Sequence, residues 1–291
     1  MIYKIIPQLL LFTAVLASIL SLSSCDEEFD QVEAYKKNIY LVHSENLIHH
    51  FIHPFQDKPS EGFITVYCSG SLLPDRDIQI DMEFDPDIID EYNFIEFEHD
   101  SSRYVHMLNQ ENFEVPSFTV EIKKGTLYSN MPILLNAHGL SPDTTYVIPL
   151  RIKQVNEYEV NEELSSILYA VQLKNEYSGQ YRMSGTLIDT ASGVEQQVFK
   201  DKNIVPIDEF TSRMYVAAEN ENPANIPTYT LKFSVNPDNS VTIHEGNNIG
   251  DLGDSRYQPE KKTFTLNYSF MIDGHRYDMH ETLINRDQSS R

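Results

Sequence analysis

Cationic side chains are scarce in this chain of 291 residues: 22 Lys and Arg face 44 Asp and Glu, a formal net charge of −22. The scarcity argues against nucleic acid as a partner, because phosphates demand clustered Lys and Arg. It also disfavours docking of the protein surface on anionic lipid. Cysteine is almost missing. Cys25 and Cys68 are the only two, and Cys25 ends an N-terminal leader, so no internal disulfide is expected. A chain of this length buries enough apolar surface without one. Cys68 closes the β-like run Phe63-Ile64-Thr65-Val66-Tyr67-Cys68 and reads as a buried, inert thiol. The sequence also lacks a Gly-x-Ser-x-Gly elbow, a phosphate-binding glycine loop and any Ser/His/Asp arrangement that spacing recommends. No enzyme activity and no cofactor is expected.

The longest apolar segment, Leu9 to Leu20, follows Lys4 and runs into Leu22-Ser23-Ser24-Cys25. It is too short to span a bilayer stably and has the small-residue ending of a secretory signal. That ending resembles the lipobox of bacterial lipoproteins, which implies a signal peptide over residues 1–24 and acylation of Cys25. Membrane attachment would then come through the lipid anchor only, at ~0.8 kcal/mol per buried methylene. Asp26-Glu27-Glu28 resembles the acidic export signal of Bacteroidota lipoproteins, the alternative being a solvated linker. The expected address is the outer membrane, lipid-anchored and facing the cell exterior, with residues 25–37 as an acidic tether.

Beyond the tether, period-2 alternation dominates and long helices are not expected. Ile78, Ile80, Met82 and Phe84 alternate with polar residues, the pattern of a strand with one wet face. Phe118-Val120-Ile122, Tyr146-Ile148-Leu150-Ile152 and Ile167-Tyr169-Val171-Leu173 repeat it. With the runs near Tyr40, Ile64 and Tyr104, about seven strands precede Asn175, the content of an immunoglobulin-like β-sandwich. Pro149 points to an edge strand or a bulge, since proline cannot donate to a ladder. Asp85-Pro86-Asp87-Ile88-Ile89-Asp90 reads as a capped helical turn.

After a pause near Lys174 to Ser178 the pattern restarts. Tyr229-Leu231-Phe233-Val235, Val241-Ile243 and Phe264-Leu266-Tyr268-Phe270 alternate, and Asp273-Gly274 supplies the two positive-φ residues of a tight hairpin. The expected fold is all-β: a sandwich over residues 38–174, then an antiparallel meander over 175–291 that forms a lipocalin-like barrel or a sandwich. Periodicity does not choose between the two. The polar stretches Ala218 to Pro227 and Gly246 to Tyr257 are expected to be loops.

Several segments resemble a known family. Ile88-Ile89-Asp90-Glu91-Tyr92-Asn93, Val120-Glu121-Ile122 and Tyr146 to Ile152 are similar to the DUF1735 domain of Bacteroides lipoproteins. Tyr177-Ser178-Gly179-Gln180-Tyr181 and the region Tyr257 to Arg286 look like the DUF4361 domain that commonly follows it. The resemblance implies a SusE-like role in a polysaccharide-utilisation system: capture of a glycan or oligosaccharide beside an outer-membrane transporter or other surface lipoproteins. The chain departs from that expectation in having no Trp, the usual sugar-stacking side chain.

Candidate residues follow from chemistry. Tyr257 lies near Asn247, Asn248, Asp251, Asp254 and Arg256, joining an aromatic face to amide, carboxylate and guanidinium groups. Such sets bind sugars, because a ring face packs on the apolar side of a pyranose while planar polar groups take the hydroxyls. Tyr229 is a second candidate. His49, His50 and His53 lack companions to complete four metal ligands, and Asp85, Asp87 and Asp90 lack the Gly and spaced Glu of a calcium loop. No metal is expected. The leading function is non-catalytic glycan binding at the cell surface; the alternative is a structural or protein-interaction subunit of an outer-membrane or surface-adhesion complex.

Overall fold

A computed structural model describes residues 33–246 and 248–286. The leader, Cys25 and most of the tether lie outside the described residues, as does Asn247. The protein is all-β, as the alternation requires.

The N-terminal half contributes eleven strands: β1 Asn38–Leu41, β2 Ile48–Pro54, β3 Ser60–Cys68, β4 Ile78–Phe84, β5 His106–Met107, β6 Phe113–Glu114, β7 Thr119–Ile122, β8 Tyr128–Leu135, β9 Tyr146–Val155, β10 Glu159–Val160 and β11 Ser166–Lys174. Five strands, β2, β5, β6, β8 and β10, go beyond the expected seven runs, of which the one near Tyr104 lies outside any strand; β5, β6 and β10 have two residues each, too few to show a period. One sheet has the order β10-β1-β3-β8-β6; the other runs β2-β11-β9-β4-β7, with β5 added beside β9. Ile39, Leu41, Ile64 and Val66 from the first sheet meet Ile80, Ile148, Leu150 and Ile167 from the second in one buried core.

Helix α1, Asp87–Phe97, roofs the outer face of the second sheet. Ile88 and Ile89 pack on Val147, Leu168 and Ala170, which is why β9 and β11 carry runs buried on both faces. The expected turn is thus a helix of 11 residues, and no side-chain cap bond forms at its start. Asp87 and Asp90 instead occupy its first turn, where the helix dipole favours acids. Among the described residues the first sheet has no such roof.

Pro149 sits in β9, inside the sheet between β11 and β4, not at an edge. The Leu168 N–H, opposite Pro149, turns away to the Leu47 carbonyl at 2.7 Å. The missing Pro149 donor therefore faces the other neighbour, where β4 has ended at Phe84 and β5 has taken over at Met107. No ladder bond is lost there, so the sheet accepts the proline.

The C-terminal half contributes β12 Gly179–Asp189, β13 Glu195–Pro206, β14 Thr211–Tyr215, β15 Thr230–Val235, β16 Val241–Ile243, β17 Ile249–Asp251, β18 Arg256–Gln258, β19 Thr263–Ile272 and β20 His275–Asn285, with a short helix α2 at Ile226–Tyr229. Their order is β16-β15-β14-β13-β12-β20-β19-β17, with β18 also on β19. A bridge between Ser240 and Arg256 brings the two ends of the sheet together, giving a nearly closed barrel. The stretch Gly246 to Tyr257 is therefore not all loop. The hairpin at Asp273-Gly274 forms as expected, with φ of 50° and 81°.

Inside the barrel, Lys202 and Glu281 form a fully buried pair at 2.8 Å, and the Tyr268 hydroxyl donates to Glu281 at 3.1 Å. The halves meet tightly. Asn175 Nδ2 donates to the carbonyls of Asp208 and Thr211, while Tyr177 enters the barrel core.

Candidate functional site: a tyrosine row on an open sheet face

The residues nominated from sequence do not converge. Where a loop was expected, strand β18 turns Tyr257 inward: the side chain is 3% exposed, 5.2 Å from the Tyr177 ring and 4.5 Å from the Phe264 ring. A pyranose cannot lie on that face. Burial pushes the Tyr257 phenol up, and its hydroxyl has no hydrogen-bond partner. Arg256 points outward on the same strand. Asp251 accepts from the Gly253 N–H at 2.7 Å and shapes a turn. Tyr229, at the end of α2, packs half-buried on the barrel core. Asn248 lines a cleft beside α2.

His53 proves to be a core residue. Strand geometry puts His49 and His53 on one face of β2 and His50 on the other. His53 is fully buried; its Nδ1 lies 2.7 Å from Ser60 Oγ and its Nε2 2.7 Å from the Tyr169 hydroxyl. Ser60 in turn donates to the Leu135 carbonyl. With Tyr169 donating to Nε2 and Nδ1–H donating to Ser60, every proton has an acceptor. Burial lowers the imidazole pKa to about 4, so the ring is neutral. Among the described residues no group of three His, Cys, Asp or Glu side chains is placed to hold a metal. Cys68 is buried and its thiol pKa is raised by desolvation.

The unroofed sheet carries what single strands do not reveal. In the register of β1, β3 and β8, Tyr40 lies opposite Tyr67 and Tyr67 opposite Tyr128. Directly opposed residues on neighbouring strands share a face, so the three rings form one row across three strands, about 10 Å long at the ~4.8 Å strand spacing. The Tyr40 and Tyr67 rings are 5.4 Å apart and tilted by 45°. Exposure grows along the row, from half-buried Tyr40 to Tyr128 at 58%. Burial, followed by the neighbouring Tyr67, pushes the Tyr40 phenol up.

The next row holds Thr65 and Asn130, with Thr65 Oγ1 donating to Asn130 Oδ1 at 2.8 Å. That bond leaves the Asn130 amide hydrogens for another acceptor. Beyond it lies Phe63, 49% exposed, opposite Pro132. These three rows carry no charged side chain in a chain with 44 acidic residues. Large amphipathic rings beside hydroxyl and amide groups, on a stiff and neutral surface, suit a flat ligand with one apolar face and a polar edge.

A family model for an N-terminal domain matches residues 35–159, and one for a C-terminal domain matches residues 165–284. The chain thus has the two-domain make-up that these models describe. Solved structures share the fold. A Bacteroides ovatus protein of unknown function aligns with a TM-score of 0.67 at 15% identity, over 84% of this chain and 93% of that one. A multidomain Bacteroides ovatus protein including DUF1735 aligns at 0.63 and 15%, covering 82% and 89%. An auxiliary nutrient binding protein from Bacteroides thetaiotaomicron aligns at 0.62 and 17%, covering 83% and 92%. No curated protein matches the chain.

Proposed function

We propose that this protein is a non-catalytic, cell-surface glycan-binding lipoprotein whose sandwich face captures a neutral oligosaccharide. The observation that carries the reading is the Tyr40–Tyr67–Tyr128 row, bordered by Thr65 and Asn130. Its rings offer a sugar's C–H face an apolar partner, and the adjoining hydroxyls and amide take the sugar's own hydroxyls. The three rows themselves carry no charge and Glu45 and Glu61 border them, which favours a neutral chain over an acidic one. Kinship in fold with a protein called an auxiliary nutrient binding protein supports capture rather than turnover. Likeness to a DUF1735-containing structure supports the DUF1735 reading of the first half, and the DUF4361 reading of the second rests on its sequence resemblance.

In this reading Cys25 carries the lipid, the protein faces outward from the outer membrane, and a transporter or other surface lipoproteins receive the captured sugar. Affinity electrophoresis through gels of neutral polysaccharides tests it. Wild type is retarded by at least one of them and Tyr128→Ala runs free. Equal mobility of the two proteins in every gel overturns the proposal.

A specific observation favours the alternative of a protein-interaction subunit: Phe94 and Ile95 on α1 are both 64% exposed. On that reading Phe94→Asp abolishes co-purification of a partner protein and leaves glycan retardation untouched.

A further inference from the structure

A second cleft lies on the outer face of the barrel, away from the tyrosine row. It measures about 350 Å³, within the ~300–1,000 Å³ of small-molecule sites. Its walls are α2, β15 and the chain that follows β16. Its floor is a row of basic side chains. Arg213 on β14 lies opposite Lys232 on β15, and His244, just past β16, continues the row by donating its N–H to the Lys232 carbonyl at 2.9 Å. The shared register points all three side chains the same way. In a chain of net charge −22 this gathers two formal cations and a histidine in one row.

Each member of the row is held differently. Arg213 is 5% exposed; its guanidinium forms a two-pronged pair with Asp143 from the sandwich, Nη1 to Oδ2 at 2.7 Å, while Nε is buried without a hydrogen-bond partner. That nitrogen is closed off from the cleft, so Arg213 serves as a fixed, Asp143-paired part of the floor and not as a donor to a ligand. His244 is fixed by Ser234, with Nε2 2.7 Å from Oγ. The Lys232 ammonium has no ion pair or hydrogen bond among the described residues. Glu245 also lines the cleft, and its carboxylate lies within 3.4 Å of the Asp251 N–H, not paired with Lys232. Asp143 balances Arg213, which leaves Lys232 as the charge offered to a ligand.

We propose that this cleft binds an acidic sugar through its carboxylate, held by the exposed Lys232 ammonium beside the His244 ring. Thr228 and Asn248, on the same walls, take the hydroxyls. The ligand is a uronic acid residue in a glycan chain. The site is independent of the tyrosine row, so the failure of either leaves the other standing.

The test is calorimetric titration of the protein with tetragalacturonate and with a glucuronate-containing tetrasaccharide, each also in its methyl-esterified, neutral form. Wild type binds at least one acid form, and esterification weakens it about tenfold or more, the worth of a charge-assisted hydrogen bond. Lys232→Gln, an exposed substitution whose thermal unfolding matches wild type, produces the same loss, while Tyr128→Ala produces none. The His244 ring signals in NMR spectra shift with the acid form and not with the ester. Absence of binding by both acid forms, equal binding of acid and ester, or undiminished affinity in Lys232→Gln each overturns the proposal.

Discussion

Tyr257 carries a buried hydroxyl with no partner, so its removal relieves the fold of an unsatisfied group. Tyr257→Phe is therefore expected to leave stability unchanged or raise it by about 1 kcal/mol in urea unfolding, and a clear loss would show that the hydroxyl is bonded in solution. His53 behaves in the opposite sense with pH. Its pKa falls from 6.5 in the unfolded chain to about 4 in the fold, so the unfolded state takes up a proton first as the medium is acidified. Its contribution is complete above about pH 6.5, is lost as pH falls towards 4, and amounts to about 3 kcal/mol. A melting series from pH 7 to pH 4 checks this, with His53→Gln showing the shallower decline. Sequence proximity misled at Tyr257: polar neighbours in the chain suggested a wet ring, whereas pairing of the three-residue β18 with β19 turns it into the barrel. The His53 network was not legible, because Ser60 and Tyr169 join it through two different strands.

At the scale of elements, close packing between strands sets the tightest constraints. Gly62 on β3 faces Tyr169 so closely that an added Cβ would sit 1.9 Å from its hydroxyl oxygen. Gly62→Ala should cost about 2–3 kcal/mol by prying apart the His53–Tyr169 bond, read as a lower melting temperature; an unshifted melt would mean that the sheet gives way there. The long alternating runs that became β4, β9, β11, β15 and β19 were legible, since one wet face imposes period 2. Two-residue strands and the short β17 and β18 carry too few residues to display any period. Pro149 was misplaced because proline reports only a missing donor; which neighbour that donor would have faced depends on where β4 ends, a matter of pairing. Helix α1 was underestimated because β-like apolar pairs such as Ile88-Ile89 gain their helical context from the sheet beneath them.

Across the whole molecule, both candidate surfaces are products of register. Tyr40, Tyr67 and Tyr128 are far apart in the chain and occupy ordinary outward positions; so do Lys232 and His244. Only pairing in one order, β1-β3-β8 or β14-β15 leading into β16, turns them into rows. The bare face also depends on α1 choosing the opposite side of the sandwich, which leaves the tyrosines open to solvent. The most direct measurement of the central claim is a calorimetric titration of a neutral polysaccharide selected by the wild-type protein into the Tyr67→Ala/Tyr128→Ala double variant, alongside its circular dichroism. An unchanged spectrum with affinity reduced about tenfold or more is the predicted result, each lost aromatic contact being worth on the order of 1 kcal/mol or more; a folded double variant that binds as tightly as wild type would contradict it.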